Sequence, residues 1–169
     1  MSANLVFRFS GNKLPFSLAI KAATWSKYSH IDLVIEPGLY FGAIPFHGVG
    51  YHKKKYNVED YFELVLPTDA VNAFDLQLGI RRWILSQEGK PYDYSGILGF
   101  AARRDWQEDD SWFCSELMAA GINKYFPMFN EEAHRISPRD LAIHGVLKRL
   151  DPAVVLTRFP ESQDSSHAT

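Results

Sequence analysis

The sequence predicts an α+β fold in which an antiparallel sheet packs against a helix carrying the chain's only cysteine. Three observations lead there. Short β-rich runs separated by tight turns fill the first sixty-odd residues, so their pairing is local and therefore antiparallel. Helical patterns dominate from Ala70 onward. Finally, Cys114, Leu117, Met118, Gly121, Ile122 and Tyr125 recur at helical spacing and line one face. The length of 169 residues suits one domain over 1–161, with a polar tail at 162–169 expected to be disordered.

Leu5 to Phe9 reads as the first strand, broken at Gly11-Asn12 before Pro15 opens an amphipathic helix to about Trp25. Ser29 to Glu36 is rich in β-branched residues and runs into Pro37-Gly38, so a hairpin to Leu39–Ile44 follows. Val49–His52 and Tyr61–Leu66 complete the strands of the first half. Asp69 can cap a helix from Ala70 to Glu88, which Gly89-Lys90-Pro91 ends. A second apolar helix is expected over 94–103. A polar stretch then leads to the cysteine helix, with Asp110 or Ser111 as its cap and Pro127 as its stop. Ser137-Pro138 starts a short helix, and Ala153–Thr157 reads as a last strand.

Composition excludes several functions. A hydrophobic fraction of 46% and a charged fraction of 22% describe an ordinary globular chain. A net charge of -2 with a pI near 6.3 gives no footprint for nucleic acid, and Lys53-Lys54-Lys55 reads as a solvated turn followed by Glu59 and Asp60. No secretory signal or transmembrane stretch is legible, so the chain is expected in the cytoplasm. With one cysteine and no close His/Asp/Glu pair at ligand spacing, neither a metal nor another cofactor is expected.

A lone thiol on an apolar stripe is either core filler or a nucleophile. The first turn of a helix is where unpaired N–H groups stabilise a thiolate, and Cys114 stands there. The small residues Ala119-Ala120-Gly121 would let this helix approach the sheet. A nucleophile also needs a base, and of six histidines His30 is best placed, at the rigid start of a strand.

Trp25-Ser26-Lys27-Tyr28-Ser29-His30-Ile31, Tyr40-Phe41-Gly42-Ala43, Lys90-Pro91-Tyr92-Asp93 and Phe113-Cys114-Ser115-Glu116-Leu117, in that order, carry a resemblance. Together they resemble the circularly permuted, NlpC-type papain-like hydrolases, the YiiX/YaeF-like group related to lecithin retinol acyltransferase. The resemblance spans roughly residues 5 to 125. It implies a papain-like fold with the cleft between helix and sheet, Cys114 as nucleophile and His30 as base. The oxyanion would be held by the Cys114 backbone N–H, with Tyr92 as a candidate second donor. Gly42 stands where the family commonly has Glu or His to orient the imidazole, which leaves His47 as the first candidate for a third catalytic residue and Asp32 as the second. The expected activity is a cysteine peptidase-like or amidase-like thiol hydrolase, acting on a cell-wall peptide or a lipid-linked amide or ester. A non-catalytic binding module on the same scaffold and an acyltransferase are the alternatives.

Overall fold

A computed structural model describes residues 4–94 and 111–159. Its elements are β1 (Val6–Gly11), α1 (Pro15–Thr24), β2 (His30–Glu36), β3 (Leu39–Ile44), β4 (Gly48–His52), β5 (Val58–Leu64), α2 (Ala70–Leu85), α3 (Cys114–Tyr125), a 3-10 turn at Ala133–Arg135, α4 (Pro138–Ile143), β6 (Leu147–Leu150) and α5 (Pro152–Arg158). The strands form one six-stranded antiparallel sheet in the order β4-β3-β2-β1-β5-β6. Helices thus accompany an antiparallel sheet, as the sequence predicts for the α+β class.

Strand alternation divides the core. On one face Phe7, Phe9, Ile31, Leu33, Phe41 and Leu64 join Leu117, Met118 and Ile122 of α3 and Ile80 and Ile84 of α2 in the main cluster. On the other, Val6, Val34 and Tyr40 pack against Val155 of α5. A fully buried leucine such as Leu117 contributes about 1.5–3 kcal/mol over its exposed state. Gly121 sets the spacing between helices: a Cβ there would sit 2.6 Å from Ile84 Cγ1. The small-residue segment therefore lets α3 approach α2, while the same helix also lies against β2 and β3 of the sheet, as expected.

Local signals fixed most boundaries. The Asp69 carboxylate accepts N–H bonds from Val71 and Asn72 at 3.1 and 3.0 Å and caps α2. This helix stops at Leu85, short of the predicted Glu88, because the chain turns back to β4: Gly89 N–H donates to Val49 O and Val49 N–H to Lys90 O, each at 2.9 Å. Gly89 takes φ +85° in that turn. β1 runs through Gly11, predicted as a break, because Gly11 pairs with Val58 where a Cβ would lie 2.8 Å from Lys27 O.

Two assignments are corrected near the C-terminus. Ala153–Thr157, read as a strand from its valines, is helical: Asp151 caps it by accepting from Ala153 N–H at 2.8 Å, and Pro152 presets the first turn. The last strand is instead Leu147–Leu150, held by pairing with β5 across a wide sequence gap. The helix expected over 94–103 and the tail at 162–169 lie outside the described residues, apart from Tyr94 itself.

Candidate active site

β2 carries the centre of the site. Ile31 and Leu33 point into the main cluster, so His30 and Asp32 alternate onto the face shared with Arg8 and Tyr40. Arg8 stands directly across the ladder from Asp32, and both side chains have no exposed surface. Its Nη2 and Nε both donate to one oxygen, Asp32 Oδ2, at 2.6 and 3.2 Å, and so hold that end of the carboxylate. Nη1 donates to Lys54 O at 2.7 Å and Glu59 Oε1 at 3.1 Å, and the guanidinium lies 3.3 Å above the centre of the Tyr40 ring.

The other carboxylate oxygen serves two imidazoles. His30 Nε2 lies 2.6 Å and His52 Nε2 2.9 Å from Asp32 Oδ1. His52 reaches across from β4 because the intervening strand offers no side chain. A Cβ on Gly42 would lie 2.6 Å from Asp32 Oδ1, so glycine there makes room for the carboxylate. In the pattern the sequence resembles, the orienting group comes from the position of Gly42. Here the group that meets the imidazole is Asp32, on the strand next to Gly42.

Electrostatics follow from this packing. Burial is the largest influence on His30 and favours its neutral form, yet the charge and hydrogen bond of Asp32, helped by Tyr56 and Cys114, raise it well above its ordinary value. Burial likewise opposes ionisation of Asp32, but His30, His52 and Arg8 together hold it far below the usual carboxylate range. The Asp32 carboxylate thus favours the charged form of the ring, the form that taking up a further proton would produce.

Cys114 is the first residue of α3. Its N-cap is Phe113, in place of the predicted Asp110 or Ser111, and Glu116 reaches back to accept the Phe113 N–H at 3.2 Å. The cysteine is fully buried. It lies within electrostatic reach of His30, Tyr56 and Tyr92, each of which it pushes toward the protonated form. Burial is the main reason that Tyr56 and Tyr92 keep their protons, so both are neutral hydroxyl donors near the sulfur. The Tyr56 ring centre is 5.5 Å from that of His30.

The two candidates for the third position stand in different surroundings. His47 sits exposed in the turn between β3 and β4, its Nδ1 3.1 Å from Pro45 O, and it does not join the His30 group. Asp32, the second candidate, bonds the ring. Residues i and i+2 share a strand face, and Arg8 pulls the carboxylate's far oxygen so that the near one meets His30. His52, Arg8 and Tyr56 went unassigned; the alternation of His30 with Asp32 was the only local signal that could have suggested such a group.

The expectation that no close His/Asp/Glu group exists is also corrected. Ligand atoms of His30, Asp32 and His52 lie within 4.8 Å of one another. Their protonation nevertheless does not fit a metal ion. Lys54 N–H donates to His52 Nδ1 at 3.3 Å, so the neutral ring carries its proton on Nε2, the atom that would have to bind the metal. His30 Nε2 is likewise engaged by the carboxylate at 2.6 Å, and the Arg8 guanidinium adds a positive charge on the same carboxylate.

No family model matches the sequence, and no curated protein matches it. Among solved structures the fold is similar to that of the metalloprotein yiiX from Escherichia coli O157:H7, with a TM-score of 0.59 and 20% identity. That match covers 88% of this chain and 96% of the other. At this identity the likeness is one of fold, and it falls in the group that the sequence motifs resemble. No described helix is long and apolar enough to cross a membrane.

Proposed function

We propose that the chain is a thiol hydrolase that cleaves an amide or ester bond through an acyl-enzyme on Cys114. The observation that carries the reading is the buried His30–Asp32 pair, whose imidazole lies within electrostatic reach of a cysteine at the first position of a helix. Asp32 takes the role first given to His47.

The division of labour follows from which nitrogen is engaged. Nε2 of His30 is held by Asp32, which leaves Nδ1 to exchange a proton with the thiol. Sγ forms the bond to the carbonyl carbon, and the thiol proton leaves through Nδ1. The Asp32 carboxylate stabilises the imidazolium this transfer produces, and the imidazolium then gives its proton to the departing amine or alcohol. Water repeats the cycle in reverse to free the acid. The Cys114 backbone N–H and the neutral hydroxyls of Tyr92 and Tyr56 are the candidate donors for the oxyanion. Because Cys114 has no exposed surface, a substrate carbonyl reaches it only after neighbouring side chains move.

The test is a panel of acyl esters and N-acyl peptide amides, with intact mass measured during turnover. The reading expects an acyl adduct on the wild type that is absent from Cys114→Ala and His30→Ala, and turnover undiminished after dialysis against a chelator. Equal turnover by wild type and Cys114→Ala would overturn it. Loss of activity on chelation with recovery on adding zinc would transfer the chemistry to a metal held by His30, Asp32 and His52.

A further inference from the structure

Ser10 stands beside the proposed base with its hydroxyl unused. It pairs with His30 across the β1–β2 ladder, and since Arg8 and Asp32, two residues along each strand, meet on one face, Ser10 and His30 share that face as well. Directly opposite residues hold their Cβ atoms about 4.5–5.5 Å apart, so one small molecule can bridge the two side chains. Ser10 has no exposed surface and His30 only 6%. Even so, Ser10 Oγ has no hydrogen-bond partner, one of three buried side-chain atoms in that state among the described residues. Another of the three is Ser115 Oγ, in the residue that follows Cys114.

Buried hydroxyls are almost always bonded, because leaving one unpaired costs its desolvation in full. Ser17 and Ser29, also buried, follow that rule and bond each other at 2.5 Å. The groups that flank Ser10 are turned to other partners. Asp32 accepts from Arg8, His30 and His52. On its other side Ser10 pairs with Glu59 of β5, whose Oε1 accepts from Arg8 Nη1 at 3.1 Å and from the Tyr56 N–H at 3.0 Å. The hydroxyl thus lies between a base and a carboxylate and bonds to neither.

We infer that Ser10 positions the water that frees the acid from Cys114. The inference rests on the thiol-hydrolase reading and supplies its second half-reaction with a residue of its own. A water that passes one proton to His30 Nδ1 keeps another, and Ser10 Oγ accepts it, which turns an oxygen lone pair toward the acyl carbon. The water oxygen bonds to that carbon, the C–S bond breaks with its electron pair on Sγ, and the imidazolium returns the proton to Sγ. Acylation consumes no water, so it proceeds without this hydroxyl.

The test isolates that step. Cys114 is acylated with excess p-nitrophenyl ester, the ester is removed, and intact mass follows the formation and then the loss of the adduct. Ser10→Ala is expected to form the adduct at the wild-type rate and to lose it about tenfold more slowly, the effect of one hydrogen bond made in the transition state. Its thermal unfolding midpoint should equal or exceed that of the wild type, because the change takes an unpaired hydroxyl out of the core. A structural role predicts the opposite, a lower midpoint with formation and loss slowed together. That result, or equal rates of loss in the two proteins, overturns the assignment and leaves Cys114 as nucleophile. Wild type that forms no adduct at all sinks the acyl-enzyme reading, and this role with it.

Discussion

Replacing Asp32 by asparagine removes the one negative charge to which three cationic or polar side chains are anchored. The carboxylate accepts from Arg8 Nε and Nη2 and from His30 and His52 Nε2, and it is wholly buried. Asparagine keeps the shape, but it offers one acceptor oxygen and turns an NH2 group toward donors. Arg8 retains Glu59 at 3.1 Å, whereas His30 loses its partner. Removing one side of a buried ion pair costs about 3–5 kcal/mol, a large part of a total near 5–15 kcal/mol. Urea unfolding followed by circular dichroism at neutral pH should show that loss with an unchanged slope. Its pH dependence is specific. His30 is raised above its unfolded value of 6.5, so its contribution is complete below that value and disappears as pH rises through the folded value. Asp32 is lowered from 3.8, so its contribution is complete above 3.8 and disappears only as pH falls through its very low folded value. The deficit of Asp32→Asn should therefore be greatest between these limits and shrink on either side. A deficit below about 1 kcal/mol, flat with pH, would refute the view that this carboxylate anchors the group.

Two further outcomes test the same geometry. Gly42→Ala puts a methyl 2.6 Å from Asp32 Oδ1 and should cost about 1–3 kcal/mol while lowering the His30 titration seen by NMR. Gly50→Ala, with nothing within 4 Å, is the control, and equal effects of the two would dismiss the role given to Gly42. His47→Ala should change stability by less than about 0.5 kcal/mol and leave the His30 titration in place, since His47 is exposed in a turn; a His30 shift like that of Asp32→Asn would restore His47 to the site.

Whatever depends on neighbours in the chain was legible before any coordinates. The β2–β3 hairpin follows from β-branched residues running into Pro37-Gly38, the start of α2 from the Asp69 carboxylate, and the inward face of α3 from 3.6-residue spacing. His30 at the start of a strand and Cys114 at the start of a helix belong to the same class of inference. Where two local signals competed, at 153–157, cap and proline outweighed β-branched valines, because Asp151 satisfies a helix N–H group that a strand would not present.

Only the tertiary structure decided what surrounds the histidine. Arg8, Asp32, His52 and Lys54 lie on different strands or in a loop, and their meeting depends on the register of β1 with β2 and of β3 with β4. Register is a long-range quantity, set by the whole buried face and not by any one segment. Gly42 shows the consequence: read alone it is a missing orienter, whereas in the sheet it is the space that another strand's carboxylate occupies.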